Sequence, residues 1–290
     1  FDRFDSNKAG LVGLKPDFKV SIMPSDLALN CRNLCREYYD LMDSRNAYMN
    51  KLIDDLRMVF PQYLGIFSKV TTDTSLILLE TYTSPSAFIN ADKQEIIDLI
   101  RSTARFGLTY ACNKYNAIIQ AANDADEFGY ILDSNIKRIR LYIGFICKYD
   151  EEINSILESM HELAAANEDT DFVKQIRLIE TFKGAGFLSA MSLMGEIGDF
   201  SAFSKPKQLF AYFGLDPAVK QSGKFEGTKI QMSKRGSAIA RRVIHTLTLQ
   251  SISASRTGES KNPVLLDYYL KKCESKPKLV AMGAVSHKVC

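Results

Sequence analysis

Ser222 is the residue of this chain whose neighbours best suit it to act as a nucleophile. It lies in the sequence Lys220-Gln221-Ser222-Gly223-Lys224, where a glycine permits unusual backbone angles and two lysines flank the hydroxyl. A serine that attacks a phosphodiester needs neutralised phosphate charge and an acceptor for its proton. The lysines meet the first need, but neither histidine nor aspartate stands beside Ser222 to meet the second. The local sequence therefore leaves two interpretations open, a nucleophile and a structural loop serine.

A glycine-rich turn lies upstream of this serine. Lys183-Gly184-Ala185-Gly186 separates two short apolar segments, 176–182 and 187–197, which we expect to be helices. Glycines let backbone N–H groups approach a phosphate closely, and the N-terminus of the following helix adds partial positive charge. The pattern is typical of a helix-hairpin-helix motif that contacts nucleic acid. An ordinary tight turn between two helices is the alternative.

Positive charge is concentrated in the same part of the chain. Residues 205–242 hold nine Lys or Arg against Asp216 and Glu226, a net charge of +7, whereas the whole chain carries only +3. Lys234-Arg235-Gly236, with Arg241 and Arg242 one or two turns later, would gather cations near a helix N-terminus. An isolated cationic stretch indicates a polyanionic partner such as nucleic acid. A solvated basic face is the alternative.

Two small groups of residues have the spacing of metal ligands. Asp2 and Asp5 are spaced i, i+3, so on a helix both carboxylates would project to nearly one side, a geometry suited to Mg²⁺. Alone this pair is a weak signal, because such pairs are common on exposed helices. Cys31 and Cys35 could share a helix face, but the six cysteines include no second pair at zinc spacing. Reduced core cysteines of a cytosolic protein are therefore expected.

The hydrophobic pattern predicts a mainly α protein with two long helices. One runs from Ser25 to about Phe60, and the second is centred on residues 139–164; both carry apolar residues at the 4-3 spacing of a coiled coil. Arg45, Asp55 and Asp150 interrupt the apolar seams. A helical insert, residues 61–128, separates the two helices. The pattern fits an antiparallel helical hairpin within one chain, and equally a pairing between chains.

The remaining segments complete a three-part division of the chain. Residues 1–24 are mixed and contain a short candidate strand, residues 25–171 form the coiled-coil linker with its insert, and residues 172–290 form a C-terminal helical domain. The sequence shows neither a membrane-spanning run nor a signal peptide, so we expect a cytoplasmic protein. Because the chain starts without Met and ends inside a predicted helix, we also expect a fragment with little activity of its own.

Five motifs of the C-terminal domain, in order and spacing, resemble one family. They are Lys183-Gly-Ala-Gly-Phe-Leu-Ser-Ala, Gly195-Glu-Ile-Gly-Asp-Phe, Gln208-Leu-Phe-Ala-Tyr-Phe-Gly-Leu-Asp-Pro, Gln221-Ser-Gly and Ser233-Lys-Arg-Gly-Ser. Over about 115 residues the chain is similar to the transposases of the insertion-sequence one-ten family, which are bridge-RNA-guided DNA recombinases. The two long helices match that family's coiled-coil linker, and Asp2-Arg-Phe-Asp5 matches the end of its RuvC-like (RNase H-like) α/β domain.

The resemblance implies a division of roles among these residues. Ser222 would attack a DNA strand and form a phosphoserine linkage, and Asp2 and Asp5 would be the last two acids of a DEDD tetrad that binds Mg²⁺. The first Asp and the Glu of that tetrad are absent from the chain. DNA contacts are expected from the residues of the basic and glycine-rich motifs: Lys183, Gly184, Gly186, Lys220, Gln221, Gly223, Lys224, Lys234, Arg235, Arg241 and Arg242. The implied partners are DNA, a guide RNA and further copies of the chain, in a prokaryotic, nucleoid-associated location.

Two other functions stay open at this stage. The first is a RuvC-type nuclease that cuts branched DNA with the acidic residues alone. The second is a non-catalytic nucleic-acid-binding protein, left from a decayed mobile element, that keeps its basic domain and coiled coil. Replacing Ser222 distinguishes them, because only the recombinase needs that hydroxyl for strand cleavage.

Overall fold

A computed structural model describes residues 23–103, 106–128, 132–218, 221–222, 225–226, 231–254 and 260–290, with backbone alone at 127–128, 221–222 and 225–226. The helices are α1 (Asp26–Val59), α2 (Asp73–Thr81), α3 (Pro85–Asn90), α4 (Lys93–Thr103), α5 (Leu108–Phe128), α6 (Asp133–Ala165), α7 (Asp171–Glu180), α8 (Phe187–Ile197), α9 (Pro206–Tyr212), α10 (Ala238–Ile252), α11 (Pro263–Cys273) and α12 (Lys278–Val289). Two 3₁₀ turns, Pro61–Gly65 and Phe200–Ala202, and two short strands, β1 (Gln221–Ser222) and β2 (Phe225–Glu226), complete the elements.

The described residues are almost entirely helical, so the prediction of a mainly α fold is confirmed. The expected RuvC-like remnant, residues 1–24, lies outside the described residues except for Met23 and Pro24. None of the helices in the described ranges is long and apolar enough to cross a membrane.

Polar side chains set the starts of several helices. Ser25 Oγ accepts a hydrogen bond from the Ala28 N–H at 3.2 Å before α1, as the sequence predicted. Ser237 caps α10, and Asn262 caps α11 ahead of Pro263 at its first position. Lys205 is the N-cap of α9, with Pro206 at its first position, and the Gln208 side chain accepts from the Ser204 and Lys205 N–H groups.

The chain divides into two compact units. The acidic unit comprises residues 37–159, with 18 Asp or Glu against 12 Lys or Arg, and the basic unit comprises residues 1–36 and 160–290. These divisions fall at 36/37 and 159/160, whereas the sequence suggested boundaries at 24/25 and 171/172. The excess positive charge of the protein therefore belongs to the basic unit.

Within the acidic unit, the polar residues of the predicted seams pair with partners on the opposite helix. Arg45 of α1 forms a bidentate ion pair with Asp150 of α6, at 2.5 and 2.9 Å. Nearly three turns further along α1, Asp55 accepts a hydrogen bond from Arg138 at 2.6 Å. Because the partner number on α6 falls as the number on α1 rises, the two helices run antiparallel, which favours the intrachain hairpin over pairing between chains.

The insert helices of the acidic unit enclose an aromatic and aliphatic core. Phe60, Tyr63 and Phe88 are at most 1% exposed, with ring centroids 5.2–6.0 Å apart. Ile96, Ile97 and Ile100 of α4 are likewise buried in this cluster. Burying such side chains stabilises a fold by about 1.5–3 kcal/mol each. All of the candidate site residues lie outside the acidic unit.

The basic unit contains α7 to α12 together with the first turns of α1. Gly195 of α8 lets α1 approach closely, since an added Cβ would lie 3.0 Å from the Arg32 backbone and 3.2 Å from Cys31 Sγ. Arg32 Nε donates to the Gly195 carbonyl at 2.7 Å. The predicted motif that starts at Gly195 is thus a packing surface for the start of α1.

Candidate nucleic-acid interface

Ser222 lies at the end of β1, one strand of a short β-hairpin. β1 pairs antiparallel with β2, and Ser222 stands opposite Phe225 with two residues between them. A two-residue connection is the commonest way to join antiparallel strands, and glycine in it is typical. We call β1, β2 and their connection the serine hairpin. Of the predicted site residues around it, the backbone of Gln221 lies in β1, whereas Lys220, Gly223 and Lys224 fall outside the described residues.

The two segments that lead into and out of the serine hairpin pair with each other. We call residues 214–218 and 231–236 the hairpin base. The Ala218 N–H donates to the Gln231 carbonyl at 2.7 Å, and the Ser233 N–H donates to the Asp216 carbonyl at 2.8 Å. The Ser233 hydroxyl also donates to Asp216 Oδ1 at 2.6 Å. The hairpin is therefore anchored by a backbone ladder and one side-chain hydrogen bond.

Below this ladder the two segments cross with almost no room for side chains. A Cβ added to Gly214, whose φ is +68°, would lie 2.5 Å from the Gly236 nitrogen and 2.6 Å from the Arg235 nitrogen. Only glycine fits such a close approach. Lys234 has φ +54°, a left-handed conformation that is uncommon for a residue with a side chain. Its N–H donates to the Gly214 carbonyl at 2.9 Å.

Arg241 lies in the first turn of α10 and faces this crossing. Its Nη1 group donates to the Phe213 carbonyl at 3.0 Å and to the Gly236 carbonyl at 2.6 Å. The side chain is half-buried, whereas Lys234, Arg235 and Arg242 are exposed. The predicted cationic cluster thus contains three exposed cations and one whose Nη1 group is engaged with the backbone.

The glycine-rich turn joins α7 to α8 as the sequence predicted. Thr170 caps α7, and Gly186 is the N-cap residue of α8. Gly184 has φ +106° and packs against Gln250 near the end of α10. A Cβ added to Gly184 would lie 3.0 Å from Gln250 Oε1. Lys183 and Gly186 are exposed. The turn therefore presents a cation and an open helix N-terminus on the surface.

The glycine turn and the Lys234-Arg235-Gly236 segment lie at opposite ends of α10. The first packs against Gln250, and the second leads directly into the N-cap Ser237. Thirteen residues of α-helix separate these two points, a distance of about 20 Å. The glycine turn and the basic segment, which the sequence predicted as two separate motifs, therefore lie one helix length apart.

Glu196 is a buried charge that the sequence-based site did not include. Its side chain is 4% exposed, and Arg36 holds it with two hydrogen bonds of 2.8 and 3.0 Å. Arg32 and the Tyr212 hydroxyl donate to its main-chain carbonyl, so α1, α8 and α9 meet there. A Glu between an apolar run and a glycine was the only sequence signal available for this ion pair.

Of the two residue pairs with metal-ligand spacing, the structure describes one, Cys31 and Cys35. Asp2 and Asp5 lie outside the described residues. Within the described ranges, His, Cys, Asp and Glu side chains form no group of three that could hold a metal ion. Cys31 and Cys35 are fully buried, and the Cys31 thiol donates to the Met191 carbonyl at 3.2 Å. The hydrogen bond with Cys35, together with burial, raises the pKa of the Cys31 thiol.

Comparison with known proteins agrees with the resemblance noted in the sequence. Residues 176–269 match the family model described as transposase IS116/IS110/IS902 family. The chain is also 35% identical over 95 residues to the transposase for insertion sequence element IS1111A of Coxiella burnetii (strain RSA 493 / Nine Mile phase I). That match covers 33% of this chain and about a quarter (24%) of the relative's length. Residues 176–269, from α7 to α11, are therefore similar to the transposases that this family model describes.

Proposed function

We propose that this protein is the DNA transposase of an insertion sequence and that Ser222 is its nucleophile. The observation that carries the proposal is the family match over residues 176–269, which include the glycine turn, the serine hairpin and α10. The charge distribution supports it, because the basic unit holds 25 Lys or Arg against 16 Asp or Glu while the acidic unit is net negative. Cations gathered in one unit suit a phosphate backbone as partner.

In the proposed reaction, the Ser222 hydroxyl oxygen forms a bond to a backbone phosphorus of DNA. The bond from that phosphorus to a deoxyribose oxygen breaks, and the serine proton ends on the leaving oxygen. A second deoxyribose hydroxyl then reverses the step and releases the serine. Because every phosphodiester broken is replaced by another phosphoester, strand exchange needs no external energy source. Nearby cations would stabilise the extra negative charge of the transition state.

The remaining parts of the proposal rest on the family resemblance. Asp2 and Asp5 would bind Mg²⁺ together with acids outside this chain, and a metal there would supply charge neutralisation at the phosphate. Both residues lie outside the described ranges. A guide RNA that pairs with the target, assembly of several copies and association with the nucleoid complete the proposal.

Covalent trapping tests the serine mechanism directly. The complete reading frame that contains these residues is incubated with labelled DNA of the element ends, denatured, and examined for protein-linked DNA. We expect a denaturation-resistant adduct whose attachment maps to the peptide of Ser222 by mass spectrometry. Ser222→Ala should abolish the adduct and retain DNA binding. Ser253→Ala is the matched control, since Ser253 is an exposed serine of the same unit whose hydroxyl donates to the Leu249 carbonyl.

Each other outcome contradicts a stated part of the proposal. DNA cleavage that persists in Ser222→Ala would mean that the acids act alone, as in a RuvC-type nuclease. DNA binding without cleavage by the wild-type protein, with Mg²⁺ and the adjoining non-coding RNA supplied, would mean a non-catalytic nucleic-acid-binding protein. An adduct that forms fully without Mg²⁺ would remove the metal from the mechanism.

A further inference from the structure

Arg241 differs from the other cations of the predicted DNA-binding set that the structure describes. Lys183, Lys234, Arg235 and Arg242 are exposed, as groups that meet a phosphate from solvent should be. Arg241 is half-buried, and its Nη1 group donates to the Phe213 and Gly236 carbonyls. An Nη1 group carries two hydrogens, so these two bonds use both of them.

The two carbonyls belong to different segments that meet at the hairpin base. Phe213 is the C-cap of α9 and precedes Gly214, the first residue of the base, whereas Gly236 is its last residue. Arg241 itself belongs to α10. One guanidinium therefore ties three parts of the domain together: the entry to the serine hairpin, its exit, and the helix that follows.

We propose that Arg241 is a positioning residue, which locks the hairpin base and so fixes where Ser222 stands relative to the DNA. This inference rests on the proposed function of Ser222. Hydrogen bonds from a charged donor are stronger than those between neutral groups. The backbones at Gly214 and Gly236 cross too closely for a side chain to lie between them, so the Arg241 guanidinium holds this crossing from outside.

A small rotation of the hairpin base produces a larger displacement at Ser222. Ser222 lies four residues beyond Ala218, a reach of up to about 14 Å. A tilt of about 10° at the base would then move the Ser222 backbone by about 2 Å. Displacements of about 1 Å can lower the rate of a positioned reaction about 100-fold. Loss of the Arg241 contacts should therefore affect the chemical step more than DNA affinity.

The experiment compares Arg241→Met with Arg235→Met, which removes an exposed cation next to the same crossing. Three quantities are measured: hydrogen exchange of the Ala218 and Ser233 amides, which donate within the base; DNA affinity over a range of KCl concentrations; and the rate of adduct formation at saturating DNA. Arg241→Met should release both amides, keep DNA affinity within about twofold, and slow adduct formation about 100-fold. Arg235→Met should weaken DNA binding and lower the salt slope by about 1.

Arg241→Lys separates position from charge. Lysine keeps the charge, but its single ammonium lacks the planar fork of arginine. If Arg241 locks the base, Arg241→Lys should also expose the two amides and slow adduct formation. If the charge is what matters, Arg241→Lys should behave as wild type while Arg241→Met loses DNA affinity, and the inference is wrong.

The remaining outcomes are equally decisive. Unchanged amide exchange and adduct rate in Arg241→Met would overturn the inference, and so would exposure of the α8 amides as well, since that indicates general unfolding. If the wild-type protein forms no DNA adduct, the proposed function of Ser222 fails, whereas the positioning of the hairpin is still decided by amide exchange at Ala218 and Ser233.

Discussion

Gly236 is the position where the smallest change should have the largest effect on the basic unit. A Cβ added there would overlap the Tyr212 carbonyl oxygen and lie 2.7 Å from Phe213 Cα. Ordinary carbon–carbon contacts are about 3.5–4.0 Å. Gly236→Ala therefore forces the two crossing segments apart by about 1 Å or more, and no flexible side chain is present to absorb the movement, because the obstructing atoms belong to the backbone.

The cost follows from the contacts that such a separation breaks. The Lys234 N–H to Gly214 carbonyl bond and the Arg241 bond to the Phe213 carbonyl join the two crossing segments, and the Arg241 bond to the Gly236 carbonyl fixes the same guanidinium. Each hydrogen bond contributes about 1 kcal/mol, and those from a charged donor somewhat more. We expect Gly236→Ala to destabilise the basic unit by about 3 kcal/mol, close to a hundredfold to two-hundredfold change in the unfolding equilibrium.

Amide hydrogen exchange is the suitable assay, because two compact units need not unfold in a single transition. Exchange of α10 reports on the basic unit, and exchange of α5 reports on the acidic unit and should not change. Gly283→Ala is the matched control: Gly283 lies within α12, and an added Cβ there meets no atom within 4 Å. That substitution should stabilise the unit by about 0.5–1 kcal/mol. A loss below about 1 kcal/mol for Gly236→Ala would refute the crossing described here.

Three further substitutions test buried charge and surface charge. Arg36→Met leaves the Glu196 carboxylate buried without its guanidinium partner. It should lower the free energy of unfolding of the basic unit by about 2 kcal/mol, as measured by amide exchange of α8. The double variant that also carries Glu196→Gln should recover part of this loss. Burial raises the pKa of Asp55 above its ordinary value. The stability of the wild type should therefore fall as pH rises from below 3.8 through the folded pKa of Asp55. Asn does not titrate, so the stability of Asp55→Asn relative to wild type should rise with pH between about 3 and 7, as measured by urea unfolding. Lys183→Gln should weaken DNA binding and lower its salt slope by about 1, whereas Lys137→Gln in the acidic unit should not, as measured by filter binding.

The helices could be predicted from the sequence because their signals are local. Ser25, Ser237 and Asn262 cap the helices that their positions indicated, since a cap bonds to an N–H only a few residues away. The seam residues Arg45 and Asp150 were recognised as polar interruptions, but their mutual ion pair was not. Pairing depends on the register between two helices about 100 residues apart, and a hydrophobic repeat does not specify that register.

The site was less predictable for the same physical reason. Arg241 and Arg242 are adjacent in sequence and identical in type, so the sequence does not indicate that Arg241 donates to the Phe213 and Gly236 carbonyls. The contact depends on Phe213, 28 residues upstream, which comes within reach only when the Gly214 backbone crosses that of Gly236. Glycines marked both places, but nothing local indicated that they meet each other rather than a phosphate.

Separation of the cations along α10 changes what the domain can recognise. The Lys183 turn and the Lys234-Arg235 segment are about 20 Å apart, from the 13 residues between Ser237 and Gln250. Phosphates along one strand of a duplex advance about 3.4 Å per base pair along the axis, so this distance corresponds to about six base pairs. A single phosphate can engage only one of the two groups. If both groups contact DNA as proposed, the DNA must present two phosphates about 20 Å apart, and α10 sets the spacing between the two contacts.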